Sequence, residues 1–272
     1  MPKISATVIC ASRAPNGVAL YTIVCTYPRF ILAEVNTHRA LSRNSMSSRA
    51  VPVRKVLAQV WSDPMTPVEW GANQAGMQAH TQLTGWRKAV AKCLWRTAAK
   101  VACIFAYGFI KVNLSKQIAN RILEPWQKMV TIITATEWTN FFELRDHKDA
   151  QPEFRALAKE MRAEIERTPI TYLKSGEWHL PFISEAERRE NPVQDLIKMS
   201  AARCARVSYL THDGKLPSKE KDIDLFNKLV GSTPAHSSPV EHQATPLDEA
   251  TANSNNFYGW YQYREALDAS RR

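Results

Sequence analysis

Residues 4–36 read ISATVICASRAPNGVALYTIVCTYPRFILAEVN, and this stretch decides the fold class. Segments 4–10 and 19–26 are rich in β-branched and aromatic residues and flank Asn16-Gly17, a strong hairpin signal. Pro28 then suits the first position of a helix, in which Phe30, Ile31 and Val35 share a stripe spaced near 3.6 residues. Two strands followed by a helix predict an α+β fold, with an antiparallel or mixed sheet and flanking helices.

The helix delivers a polar segment to a fixed place. Residues 37–49, THRALSRNSMSSR, supply three arginines, one histidine, one asparagine and four serines, with only Ala40, Leu41 and Met46 apolar. If the helix continues, Glu34 and His38 stand one turn apart on one face. Such a composition suits either a solvated serine-rich loop or an anion site, in which guanidinium forks, hydroxyls and backbone N–H groups meet a phosphate.

Composition narrows the partners. The 272 residues allow one large or two modest domains, with 44% hydrophobic and 23% charged residues, as in ordinary globular chains. The net charge of +10 favours anionic partners, yet the charges are scattered, so nucleic-acid binding does not follow from them. The five cysteines (Cys10, Cys25, Cys93, Cys103, Cys204) form no C-x-x-C pair and read as free thiols of a cytoplasmic protein. The start lacks the apolar core of a signal peptide, and the most apolar run, residues 101–112, is too short to span a bilayer, so no membrane is expected.

Further along, residues 53–61 suit a short helix and 67–77 an ordered loop. A long helix is expected over 81–107, with Leu83, Trp86, Val90, Cys93, Leu94, Ala98, Val101 and Phe105 as its apolar stripe. Lys88, Lys92, Arg96 and Lys100 form a solvated row on another face. A helix from about residue 114, broken near Pro125, carries Gln117 and Arg121 one turn apart. The run from Met129 suits a strand or a buried helix equally, whereas Gln151-Pro152 opens an amphipathic helix with Phe154, Leu157, Ala158, Met161 and Ile165 inward. Residues 168–192 read as a surface connection, and helices are expected over 192–207 and 222–230. His236, Glu241 and His242 lie within seven residues, but no distinctive third ligand accompanies them, so no metal is expected. G-x-S-x-G, Walker and G-x-G-x-x-G motifs are absent.

The spacing His38, Arg39, Ser42, Asn44, Ser47, Arg49 resembles the signature of flavin-dependent thymidylate synthases. ANRILEP from Ala119 and NFFELRDHKDAQPEFRALA from Asn140 are similar to two further segments of that family. CARVSY from Cys204 and HSSPVEH from His236 resemble two more, which come first in the family and last here, as in a circular permutation associated with phage-type members.

The resemblance implies one catalytic domain over 1–272, with 1–167 as the signature and nucleotide part and 193–272 as the permuted flavin part. It implies reductive methylation of dUMP at C5 to dTMP, using FAD, NADPH and methylenetetrahydrofolate. His38, Arg39, Asn44, Asn140, Ser208, His236, Ser238 and Glu241 would hold FAD. Glu34, Ser45, Ser47, Ser48, Arg49, Arg121 and Arg145 would hold the deoxypyrimidine monophosphate, and the chemical step falls to Arg145 with Ser47. Arg145 would stabilise charge developing on the ring, and a homotetramer with shared sites is implied. Departures from the family pattern are Thr37 for arginine, Ser45 for glutamate, Ala50 for tyrosine, Asp149 for histidine, Val240 for phenylalanine and Glu34 for glutamine. A carboxylate at Glu34 favours a base with an amino donor, which keeps open C5 hydroxymethylation or a related modification of dUMP or dCMP. A reading from another class is a non-catalytic, basic nucleic-acid-binding protein.

Overall fold

The computed structural model describes residues 4–208 and 217–271. Strands β1 (Ser5–Arg13) and β2 (Ala19–Pro28) pair antiparallel around the Asn16-Gly17 turn, where Gly17 takes φ +89°, a value that favours glycine. After Pro28 the chain makes only a 3-10 turn and the short α1 (Leu32–Val35). The Thr37 N–H and hydroxyl both donate to the Glu34 carbonyl, at 3.1 and 2.7 Å, closing the last turn in the i to i+3 pattern instead of continuing the α-helix. The helix therefore stops, and Glu34 and His38 do not share a helical face as expected.

Part of the polar segment is a strand rather than a loop. β3 (Ser42–Ser45) pairs antiparallel with β4 (Lys128–Ala135), which in turn pairs antiparallel with β2. β5 (Thr171–Tyr172) adds a short parallel edge beside β1, so the five-stranded sheet has the order β3-β4-β2-β1-β5 and is mixed. Between β3 and β4 lie α2 (Val53–Ser62), α3 (Gly85–Lys111), α4 (Lys116–Ala119) and a 3-10 turn over Asn120–Trp126. Gln117 and Arg121 thus fall on different helical elements, again unlike the expectation.

The long helix α3 is turned opposite to its expected orientation. Ala99, Ala102, Cys103 and Ala106 are buried against Val56, Val60 and Leu123, whereas Trp86, Leu94 and Phe105 are 72%, 65% and 58% exposed. Small side chains let the α2 backbone approach closely, and the bulky stripe is left outside. At 27 residues α3 is long and apolar enough to cross a membrane by length and composition, which the run 101–112 alone had not suggested; its most apolar window is 22% buried.

Packed on the sheet, α5 (Thr139–Arg145) and α6 (Pro152–Arg167) close the main core through Phe141, Phe142, Phe154, Leu157, Ala158 and Met161. The Gln151 side chain accepts from the Phe154 N–H at 2.8 Å, capping α6 as its Gln-Pro start requires. Residues 168–192 are more than a surface connection: they carry β5, the buried His179 and Leu180, and α7 (Glu185–Glu190), whose Ser184 and Glu187 form a capping box. α8 (Val193–Ala205) and α9 (Lys219–Val230) pack together, tied by a buried Arg203 that binds Asp222 at 2.9 Å and Glu187 at 2.6 Å. The chain ends in β6 (Ala244–Pro246), β7 (Asn253–Ser254), β8 (Phe257–Tyr258), β9 (Trp260–Gln262) and α10 (Tyr263–Ala269), with β6 paired to β9 and β7 to β8.

Buried polar groups sew the late segments to the sheet. His179 Nε2 lies 2.8 Å from the Thr22 hydroxyl, which lies 2.8 Å from that of Thr134, and Thr134 lies 2.8 Å from His242 Nδ1. All four residues are fully buried.

Candidate active site

The aromatic end of α5 fixes the centre of the site. His38 packs edge-on to Phe141 and Phe154 at 5.0 and 5.7 Å between ring centroids. Its Nε2 accepts from Arg145 Nε at 2.8 Å, and the Arg145 guanidinium lies 4.7 Å over the Phe154 ring. Burial, with help from the positive charges of Arg145 and Arg43, holds the His38 pKa down at about 4. The ring is therefore neutral near pH 7 and serves as an acceptor. Among the described residues Arg145, so oriented, makes no other side-chain hydrogen bond, and its terminal nitrogens remain available to a ligand.

Arg145 separates two cavities. One, of about 410 Å³, is lined by Thr37, His38, Arg39 and Asn140 as well as Arg145. The other, of about 670 Å³, lies beneath segment 67–82, floored by Phe30 and Trp95 and reached by Lys148 and Gln78. That segment is anchored over the α5–α6 corner: the Val68 N–H donates to the Glu153 carboxylate at 2.6 Å and Arg155 pairs with Glu69 at 2.6 Å.

A third cavity, of about 390 Å³, shares Arg39 and Leu41 with the first and joins Ser238 and Glu241 to Arg43, Asn256 and Arg264. Asn44 holds this wall in place, donating to the Cys204 carbonyl at 2.7 Å and accepting from the Ser238 hydroxyl at 3.2 Å. Desolvation pushes the Glu241 pKa up, opposed by Arg264. Thus His38, Arg39, Asn140 and Arg145 meet at one end of β3, with Asn44, Ser238 and Glu241 alongside. His236 is exposed, its N–H donating to the Leu229 carbonyl at 3.0 Å, and it lines none of the three cavities; Ser208 closes a 3-10 turn that follows α8.

Apart from Glu34 in α1, the remaining candidates lie at or beyond the other end of β3. Ser45 bonds the Thr131 hydroxyl at 2.9 Å, Ser48 reaches Glu124 at 3.4 Å, and Glu124 pairs with both Arg29 and Arg121. Arg49 is exposed beside Ser47, and none of Ser47, Ser48, Arg49 or Arg121 lines the three cavities. Four extended residues span roughly 13 Å, which keeps the two halves of the signature apart. Glu34 lines none of the cavities either, and its Oε2 is buried without a hydrogen-bond partner. Sequence reading passed over Arg43, a variable position of the signature, and Asn256 and Arg264, whose only signal is the polar and aromatic tail.

The mixed sheet with helices on its faces has a counterpart among solved structures. A UMP/dUMP methylase PolB from Streptomyces cacaoi, bound with 5-Br dUMP, shares the fold at a TM-score of 0.50 and 16% identity, over 61% of this chain and 91% of that one. The same methylase bound with 5-Br UMP gives 0.48 and 15%, over 61% and 90%. No curated protein matches the chain. The family model described as Thymidylate synthase complementing protein matches residues 14–169, more than half of the chain, and the chain belongs to this flavin-dependent thymidylate synthase family. The match stops short of CARVSY and HSSPVEH, the two blocks that come late here.

Proposed function

We propose that the chain catalyses the reductive methylation of dUMP at C5 to dTMP, with FAD as cofactor and NADPH and methylenetetrahydrofolate as co-substrates. The observation that carries this reading is the Arg145 guanidinium, held by a neutral His38 and the Phe154 face with its terminal nitrogens unspent. A cation fixed in this way stabilises negative charge on a pyrimidine ring without reorganising when the charge develops. FAD, when bound, supplies the hydride.

The donor set fits that cofactor: guanidiniums for its phosphates, and amide, hydroxyl and carboxylate groups for its polar edges. Arg39 and Asn140 approach it from one cavity and Ser238 and Glu241 from the other, while His236 and Ser208 are assigned to it by the family resemblance alone. Asn44 acts by orienting Ser238. For the nucleotide, Ser47, Arg49 and Arg121 take the phosphate, while Ser45 and Ser48 brace the strand through Thr131 and Glu124. Residues 1–167 and 193–272 act as a single unit, a reading supported by the buried chain from His179 to His242.

Because Arg49 and Arg121 stand away from Arg145 within one chain, each site is completed by residues of other copies, in a homotetramer. The exposed apolar face of α3 supports self-association. A second reading follows from Glu34: an orphaned, buried carboxylate oxygen is met by the C4 amino group of dCMP and not by the C4 carbonyl of dUMP. Purified protein that is yellow, oxidises NADPH and yields dTMP only with folate added supports the first reading. Protein that stays colourless after incubation with FAD refutes it, and turnover of dCMP, with the product mass read for methyl or hydroxymethyl, selects the second.

A further inference from the structure

The C-terminal segment from β7 to α10 belongs to none of the motifs that define the family resemblance, yet it forms one wall of the 390 Å³ cavity. It is held rigidly there. Asn256 Nδ2 donates to the Ala40 carbonyl at 3.0 Å, the Ser42 hydroxyl donates to Asn256 Oδ1 at 3.1 Å, and Gln262 Nε2 donates to the Glu241 carbonyl at 3.0 Å. At the base of the segment, the Asn16 amide donates to the carbonyls of Leu247 and Gly259 at 2.7 and 2.9 Å. Gly259 takes φ +69°, and a Cβ there would lie 2.9 Å from that amide nitrogen, so the hairpin needs glycine at this contact.

Charge at this wall is unbalanced. The guanidiniums of Arg39, Arg43 and Arg264 face one carboxylate, Glu241, which pairs with Arg264 Nη1. Arg43 is anchored through Nη1 to the Val35 carbonyl at 3.1 Å and to the His38 carbonyl. Arg264 is 40% exposed, its Nε lies 3.5 Å from Asp268, and its Nη2 has no partner among the described residues. The Arg39 side chain has no partner among the described residues, and it lines the cavity. Several cations around one cavity, each with fork nitrogens unused, match a pyrophosphate, whose two adjacent phosphates need more than one guanidinium.

We propose that Arg264, with Arg39 and Arg43, forms a clamp for the pyrophosphate of a dinucleotide, closed from the C-terminal side by the tail hairpin that Asn256 anchors to Ala40 and Ser42. This rests on the reading of the cavity as a flavin site, but the clamp itself requires only a pyrophosphate group. Arg264 is a binding residue here, released in part from Glu241 when the anion arrives.

The test titrates inorganic pyrophosphate and, separately, FAD into the full-length protein by calorimetry. Wild-type protein is compared with Arg264→Ala, Arg264→Lys and Lys92→Ala, the last an exposed cation on α3. The expected result is that Arg264→Ala weakens pyrophosphate and FAD by tenfold or more, Arg264→Lys recovers part of the loss, and Lys92→Ala changes neither, with thermal midpoints of all four preserved. The clamp is overturned if Arg264→Ala binds pyrophosphate as tightly as wild type, if Lys92→Ala weakens it equally, or if wild type binds none. Pyrophosphate binding that depends on Arg264 without any FAD binding would retain the clamp and refute the flavin reading.

Discussion

His38 and Arg145 act as a pair in which each residue sets the state of the other. The guanidinium and the burial both resist a proton on the imidazole, and the neutral imidazole in turn fixes the guanidinium. Replacing Arg145 with lysine removes the planar fork and the Nε donor, and kcat should fall about 10²-fold with a smaller change in KM, measured by dTMP formation. The pH response has a definite sign. His38 titrates near 4 in the folded chain against 6.5 as its ordinary value, and His179 and His242, buried by desolvation, titrate near 3. Between these limits the unfolded chain binds more protons, so stability gained above pH 6.5 is lost as pH falls toward 4 and below. The thermal midpoint should drop steadily from pH 6.5 to 4, and His38→Gln, which keeps an amide acceptor without titrating, should flatten part of that slope.

At the scale of elements, α3 separates what periodicity shows from what it hides. The stripe was real, but periodicity does not say which of two faces meets the core. The run of Ala99, Ala102, Cys103 and Ala106 packs on α2, and the bulky stripe faces out. A self-association surface on that stripe predicts that Leu94→Asp with Phe105→Asp gives a species of lower mass in light scattering, with the helix content by circular dichroism kept. An unchanged mass would place the interface elsewhere. The edge strand β3 teaches a related lesson. Residues 42–45 have a loop's composition but become a strand, because β4 offers an open edge for pairing. The hairpin of β1 and β2 and the capped start of α6 were evident from local signals, Asn16-Gly17 and Gln151-Pro152, which act over a few residues.

Across the whole molecule, the late segments are joined to the sheet through groups that no local pattern reveals. Thr134 stands between Thr22 and His242, fully buried, on the strand that also carries the partner of β3. Thr134→Val keeps the shape but leaves His242 Nδ1 without a partner and the Thr22 hydroxyl with His179 alone, and should destabilise the protein by about 1–3 kcal/mol in urea unfolding. The His242 Nε2 atom already lacks a partner in the buried site, so a second loss at the same ring leaves it without any.

The sequence by itself determined the class of fold and the chemistry available: alternating strands, a capped helix and an arginine-rich signature are local patterns, written within a few residues of one another. Tertiary structure alone decided where those groups meet. His38 finds Arg145 across 107 positions and Ser238 finds Asn44 across 194, distances over which spacing carries no geometric information. It also decided that Arg264 of the tail joins Arg39 and Arg43 of the signature at one cavity, because hydrogen bonds and burial, not proximity in the chain, fold the last hairpin against β3.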